Sequence, residues 1–352
     1  NYSVKVGGAY KSGELLVETS IAKSQDQGGT FTANASPKVV SEITTKREQF
    51  GLLTQYQLNE NTSFIGGFDW YEERVANTSS AYVQDKRIAR ALFVQARHQL
   101  NSFLFEGAVR KDDIQGLEKE TTYNLSVGYQ LNDDWLVSLS RGTGFKAPTF
   151  NDLYWPDLGN EDLKPEKVES TEILVRNKFD NGSVEISLYD SEIENLIDWA
   201  PDADGIWHPE NIDNATAKGV DLTISLQTGE FSNLLAAAYV DTEDKSTGKE
   251  LLRRPKVTAS YTLGYQLDAL TANLVLDYRD KSKDERFNPV TYATDTITLS
   301  SVLLTNISLS YQLTNELSVT GKVNNLFDKD YVVADHYLTD GVNYQLAATY
   351  TF

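Results

Sequence analysis

Apolar residues alternate with small polar ones in run after run of this chain, and four of the runs end on the same tripeptide, Tyr-Gln-Leu. The four are Tyr56-Gln57-Leu58, Tyr129-Gln130-Leu131, Tyr265-Gln266-Leu267 and Tyr311-Gln312-Leu313, and a polar turn such as Asn59-Glu60-Asn61 follows each at once. A near copy, His98-Gln99-Leu100, precedes Asn101-Ser102. In the second copy Leu125, Val127, Tyr129 and Leu131 alternate with Asn124, Ser126, Gly128 and Gln130. A period of two puts the two sets on opposite faces of a strand. An aromatic residue at a fixed distance from a short turn, repeated along the chain, puts a row of rings at one level of a closed sheet. A barrel in a bilayer needs such a row, because Tyr settles at the headgroup boundary. The pattern predicts an all-β fold, a transmembrane antiparallel β-barrel of the outer membrane.

The alternating runs predict about seventeen strands. Short connections fall at Lys11–Glu14, Asn59–Thr62, Asn101–Ser102, Asn132–Asp134, Asp180–Gly182, Thr228–Glu230, Asp268–Leu270 and Thr314–Glu316. Long ones lie between them, near Asp26–Glu42, Val75–Asp85, Lys111–Leu117, Lys146–Lys167, Trp199–Glu210, Asp241–Leu252, Asp280–Asp295 and Val332–Gly341. Short and long alternate without a break, as tight periplasmic turns and long extracellular loops do on an antiparallel meander. The first run, Tyr2 to Tyr10, and the last, Val342 to Phe352, both head toward the short-turn side. Such a barrel has an even strand number, so the odd count predicts further strands before Asn1.

Composition narrows the chemistry. The 352 residues include no Cys and no Met, which removes disulfides, thiolate metal sites and cysteine nucleophiles. The longest unbroken apolar run, Leu234 to Val240, is far short of the roughly 20 residues of a membrane-spanning helix. A barrel strand needs only about 9–11 residues, apolar at every other position. The net charge of -19 argues against nucleic acid, which requires clustered Lys and Arg, and suits solvated acidic loops.

From about Phe105 onward the chain resembles the TonB-dependent outer-membrane receptors. The resemblance rests on Gly144-Phe145-Lys146-Ala147-Pro148-Thr149-Phe150-Asn151-Asp152-Leu153-Tyr154, on Gly159-Asn160-Glu161-Asp162-Leu163-Lys164-Pro165-Glu166, on Glu210-Asn211-Ile212-Asp213-Asn214-Ala215 with Lys218-Gly219-Val220-Asp221, and on Asn325-Leu326-Phe327-Asp328-Lys329-Asp330-Tyr331. Phe105-Glu106-Gly107-Ala108-Val109-Arg110-Lys111-Asp112-Asp113 and Leu251-Leu252-Arg253-Arg254 are similar to its vitamin B12 (cobalamin) branch. The resemblance implies that residues 1–352 are the C-terminal part of a 22-stranded, monomeric barrel whose N-terminal plug and TonB box lie outside this chain. It implies extracellular loops that bind cobalamin as the transported ligand, import powered by TonB, and a setting in outer-membrane lipid and lipopolysaccharide. No resident cofactor and no metal site carries over, because the calcium loops of that branch lie in the front portion. Ferric siderophores are the alternative cargo, and a passive porin the second alternative.

On the same resemblance, Arg253 is a ligand contact, and its guanidinium offers several fixed donors to amide and phosphate oxygens. The competing reading pairs Arg253 with Asp241, Glu243 or Asp244 of its own loop. Phe287 stands near an aromatic contact of the family, without the hydroxyl of a Tyr. Asn325–Tyr331 reads as a side-chain-bonded bend where a strand leaves the membrane, with Phe327 and Tyr331 as girdle residues. In Lys146-Ala147-Pro148 the proline ends strand pairing. An enzyme is not expected: His98, His208 and His336 lie apart, and Asp335-His336, read as strand neighbours, would point to opposite faces. Asp202-Ala203-Asp204-Gly205 begins like a calcium loop but lacks the later ligands. Between Phe145 and Leu163 there is no His, which disfavours haem.

Overall fold

The computed structural model describes residues 1–31, 39–76, 82–201, 206–212, 214–288 and 293–351. Strands β1 (Tyr2–Ser12) and β2 (Leu15–Phe31), β3 (Val39–Asn59) and β4 (Thr62–Ala76), β5 (Lys86–Leu100) and β6 (Phe103–Ile114), and β7 (Glu120–Gln130) and β8 (Trp135–Lys146) form successive hairpins. Helix α1 (Phe150–Tyr154) follows, then β9 (Glu166–Phe179), β10 (Gly182–Glu194), β11 (Ile197–Pro201), β12 (Trp207–Asn211), β13 (Ala215–Thr228) and β14 (Phe231–Asp244). The chain continues with β15 (Val257–Leu267), β16 (Leu270–Arg279), β17 (Ser282–Asn288), β18 (Ala293–Leu299), β19 (Val302–Gln312), β20 (Leu317–Asn324) and β21 (Asn343–Tyr350). Seventeen strands belong to one sheet, while β11 with β12 and β17 with β18 make separate two-stranded ribbons. All eight short connections fall where the sequence places them.

The long connections hold more structure than the alternation reveals. Two of them carry the ribbons β11–β12 and β17–β18, and the connection after β8 carries α1. The β2–β3 ladder also continues to Phe31 opposite Val39, inside the connection predicted from Asp26. Residues 24–30, Ser-Gln-Asp-Gln-Gly-Gly-Thr, are polar on both faces, so the period of two vanishes while the backbone pairing persists. The Asp202–Gly205 segment and Phe352 lie outside the described residues.

By compactness the chain divides into two units. The first comprises Asn1–Tyr129, Leu139–Thr171 and Glu192–Asn214; the second comprises Gln130–Ser138, Glu172–Ser191 and Ala215–Phe352. In the first, β1 to β7 pair in sequence order, all antiparallel. Register puts Val6, Ile21, Phe50 and Trp70 on one face, and on the adjoining strands Leu92 and Val94 share that face with Phe68 and Val109. Val6, Ile21, Leu92 and Val94 are all well exposed. The opposite face carries Asp69 with Arg110 and Glu73 with Arg87. A sheet with a bare apolar face and a charged opposite face suits lipid on one side and a polar interior on the other. The buried apolar core is correspondingly small: Val75, Phe150, Leu153, Tyr154 and Leu163 pack around α1.

In the second unit β13, β14, β15, β16, β19, β20 and β21 pair in that order. Its polar face includes Gly264 between Ser232 and Asn273 in register. Aromatic rings meet across strands beside the short turns of each unit: Phe103 with Tyr129 at 4.7 Å and Phe231 with Tyr265 at 4.9 Å between centroids. The glutamine of the repeated tripeptide has its own task. Gln57, Gln130 and Gln312 each donate Nε2 to a turn carbonyl two residues on, those of Asn59, Asn132 and Thr314, at 2.6 Å. Gln227 does the same to Gly229 at 2.7 Å. The tripeptide thus joins a ring for the membrane boundary to an amide that closes the turn.

These turn bonds should be measurable. Replacing Gln57, Gln130 and Gln312 together by Ala should lower the protein's urea midpoint, with each net hydrogen bond contributing about 0.5–1.5 kcal/mol. Gln266→Ala, at the copy where no such bond forms among the described residues, should leave the midpoint unchanged.

Candidate functional site

Three long connections of the second unit converge on one buried carboxylate. Asp284, on β17, is 0% exposed. Its Oδ1 accepts from Arg253 Nε at 2.8 Å and from the Glu285 amide at 2.9 Å, and its Oδ2 accepts from the Asp335 amide at 2.7 Å. Arg253 comes from the β14–β15 connection and Asp335 from the β20–β21 connection. Burial alone would raise the Asp284 carboxyl, but the Asp335 and Glu285 amides and the Arg253 guanidinium outweigh it and hold it below the usual carboxylate range.

A second clasp lies beside the first. Arg286, two residues along β17, grips Asp335 with both nitrogens, Nε to Oδ2 at 2.8 Å and Nη2 to Oδ1 at 2.6 Å. This bidentate geometry is the strong form of an ion pair. The Arg286 bond keeps the Asp335 carboxyl low.

Arg253 is fixed on both backbone and side chain. Its φ of 58° is in the left-handed region, which a non-glycine residue occupies only when its surroundings hold it there. Its amide donates to the Lys283 carbonyl at 2.7 Å. The side chain remains 54% exposed, and among the described residues Asp284 engages only Nε. The terminal nitrogens therefore form a pre-oriented fork of N–H donors suited to an oxygen-rich ligand.

The pairing of Arg253 within its own loop is corrected by this geometry. Lys256 takes Asp241 at 2.9 Å and Glu250 at 2.8 Å, Lys245 takes Glu243 at 2.9 Å, and Asp244 accepts from Ser246 and Thr247 in a local turn. Each acid of that loop has a partner of its own, and Arg253 pairs with Asp284. Asp335 and His336 also differ from their strand reading. They sit in a connection, His336 has φ 63°, and its Nε2 lies 3.2 Å from Asp335 Oδ2. Phe287 is on β17 opposite Thr294, and its side chain lies outside the described residues.

The other motif segments are polar locks. Asn325, 4% exposed with φ 50°, exchanges hydrogen bonds with Lys329: Nδ2 donates to the Lys329 carbonyl and Oδ1 accepts its amide, each at 2.9 Å. That is the predicted side-chain-bonded bend. In the first unit Asn211 does the same to Lys164, accepting its amide at 2.8 Å and donating to its carbonyl at 3.0 Å. Pro148 is buried, and its carbonyl accepts from Arg87 at 2.8 Å. Thr149 then caps α1 in a reciprocal box with Asp152. His208 lies 3.4 Å from Glu210 on its own ribbon, and His98 Nδ1 meets Thr62 Oγ1 at 2.9 Å. Among the described residues no cluster of three metal-ligating side chains occurs.

The antiparallel sheet, the ring-lined turns and the loop locks are features of the class of outer-membrane β-barrel proteins. Residues 1–326 match the family described as TonB dependent receptor-like, beta-barrel, and the chain belongs to that family. It is 35% identical over 356 residues to the vitamin B12 transporter BtuB of Photobacterium profundum, covering 100% of this chain and 57% of that protein. With the vitamin B12 transporter BtuB of Vibrio vulnificus the identity is 33% over 351 residues, covering 97% of this chain and 55% of that protein. Among solved structures it is similar to the copper transporter OprC, with a TM-score of 0.80 at 15% identity over 99% of this chain and 65% of that one. It is also similar to the siderophore receptor PirA from Acinetobacter baumannii, with 0.78 at 17% identity over 99% and 62%. The chain thus spans somewhat over half the length of the curated relatives it matches. The family and these relatives are outer-membrane receptors and transporters, not enzymes.

Protonation should open the loop cluster. Because the Asp284 carboxyl is held low, its contribution is complete above the ordinary carboxylate value of about 3.9 and is lost as pH falls below it. Hydrogen exchange of residues 330–337, corrected for intrinsic rates, should accelerate below about pH 4. Asp284→Asn should show the same acceleration at neutral pH, and Asp241→Asn should not.

Proposed function

We propose that this chain is the loop-bearing barrel portion of an active-transport receptor that binds cobalamin at its extracellular connections and imports it with energy delivered by TonB. The observation that carries the reading is the match to vitamin B12 transporters along the whole chain at 35% and 33% identity. The Arg253 fork supports it: a corrinoid is rimmed with amides and carries a phosphate, and a guanidinium held by a buried carboxylate can meet either without reorganising. Phe287, on the same ribbon as Asp284, is the proposed apolar contact. Cobalamin is cargo here, not a resident cofactor. TonB would act through segments outside this chain on a single barrel. The siderophore receptor among the structural neighbours shares the fold at 17% identity and so bears on architecture rather than cargo.

Restored to its full-length receptor, Arg253→Ala should weaken cyanocobalamin binding by about 1.5–3 kcal/mol, the range for a hydrogen bond from a charged donor. That is about one to two decades in dissociation constant, read by equilibrium binding of radiolabelled cyanocobalamin to outer-membrane vesicles. Barrel assembly should be unchanged. No saturable cobalamin binding by the unmutated receptor, with saturable binding of a ferric siderophore, would replace the cargo assignment.

A further inference from the structure

The loop cluster of the second unit closes its own charge. Arg253 and Arg286 are each joined to a carboxylate, Asp284 at 2.8 Å and Asp335 at 2.6 Å. The exposed charges beside them balance as well: Arg254 and Lys283 stand against Glu285 and Asp295, and Asp295 lies directly opposite Arg286 on the ribbon. The rest of the β14–β15 connection adds no free cation to this account. Lys245 is held by Glu243, and Lys256 by Asp241 and Glu250. The cluster therefore offers directed N–H donors without a surplus of positive charge, on a chain whose net charge is -19.

Asp284 decides the field felt at the Arg253 fork. It is 0% exposed, so salt and water screen it far less than a surface acid. It is held below the usual carboxylate range by the Asp335 and Glu285 amides and by Arg253, and is therefore ionised at neutral pH. Through its bond to Nε it sits roughly 7 Å, by ordinary bond and hydrogen-bond lengths, from an oxygen held on the terminal nitrogens. A neutral amide oxygen on those nitrogens gains their hydrogen bonds and meets little opposition from the carboxylate. An anion there meets both charges. Repulsion from Asp284 cancels part of its attraction to Arg253, while it still has a large hydration energy to give up.

We propose that Asp284 sets the charge selectivity of the Arg253 fork, fitting it to neutral, amide-bearing ligands and against carboxylates and other anions. The inference rests on the cobalamin reading of this same site and commits the fork to a peripheral amide of the corrinoid. Asp284 is a specificity residue that acts through Arg253 and need not touch the ligand. Arg286 works in the opposite sense: it neutralises Asp335, and without it the cluster carries an uncompensated acid.

The test uses outer-membrane vesicles carrying the receptor. Its probes are cyanocobalamin and the separated monocarboxylates made from it, each with one peripheral amide hydrolysed to a carboxylate. Competition against radiolabelled cyanocobalamin gives, for each isomer, the ratio of its affinity to that of the parent. The unmutated receptor should bind no isomer more tightly than cyanocobalamin. Asp284→Asn should raise the ratio about tenfold for the isomer whose carboxylate meets the fork, midway between the limits for unit charges about 7 Å apart in water and at a protein surface. Arg286→Gln should lower the same ratio, by about threefold because the charge lies farther off. Asp241→Asn, which removes an acid held by Lys256, should leave it unchanged. A loop that merely loosens weakens parent and isomer together and cannot move their ratio in opposite directions in the two variants. Ratios unmoved by Asp284→Asn, or moved the same way by Asp284→Asn and Arg286→Gln, would overturn the proposal and leave the cargo assignment standing. So would an isomer bound tenfold more tightly than cyanocobalamin by the unmutated receptor. Absence of saturable cyanocobalamin binding by the unmutated receptor would instead remove the cargo assignment, and this inference with it.

Discussion

Every backbone N–H and C=O that enters hydrocarbon must find its partner within the protein, because lipid offers none and each orphan costs several kcal/mol. The antiparallel ladder meets that requirement one strand against the next. It also dictates where the remaining chemistry goes. Side chains on one face are surrendered to lipid, those on the other are free to be polar, and recognition is left to connections at the end where length is unconstrained. The small apolar core around α1 follows directly. A sheet whose apolar face is covered by lipid has little hydrophobic surface left to bury, so its connections are organised by polar contacts.

Those contacts share one design. Asp284, Asn211 and Asn325 each use one short side chain to satisfy main-chain groups of a neighbouring segment. A carboxylate or amide of this kind imitates a strand partner where no strand runs. It is sensitive to substitution because its loss leaves backbone groups unpaired, the expensive side of the hydrogen-bond balance. The ion pairs differ in weight accordingly. Lys245 with Glu243 is exposed on both sides and contributes little, whereas Asp284 holds segments of three connections together with its carboxyl wholly buried.

What the sequence disclosed and what it concealed follow from the same physics. Strand count, short turns and ring positions were legible because burial in lipid enforces a period of two and a fixed aromatic level. The ladder through residues 24–30 was not, since water rewards no alternation there. Strand β17, Ser282–Asn288, likewise carries no alternating apolar pattern. Asp284 lies in Asp280-Lys281-Ser282-Lys283-Asp284-Glu285-Arg286, where several acids look equivalent and only the fold selects one for burial. Arg253 was legible as a residue of interest but not its partner, because the acids nearest in sequence are claimed by Lys256, Lys245 and a local turn.

The pairing of Arg253 changes how the ligand and salt-bridge readings relate. Taken as rivals, one assigns the guanidinium to a ligand and the other to an acid. The geometry lets both hold at once, because Asp284 engages Nε and not the terminal nitrogens of a half-exposed side chain. A carboxylate that fixes an arginine stem removes part of the side-chain entropy that binding would otherwise cost. Asp284 also accepts from Asp335, which Arg286 clamps, so the orientation of Arg253 depends on the β17 ribbon and the β20–β21 connection together. A ligand that takes hold of the Arg253 fork therefore engages a unit of three connections. Disturbing any one of them reaches the fork through a single buried oxygen pair.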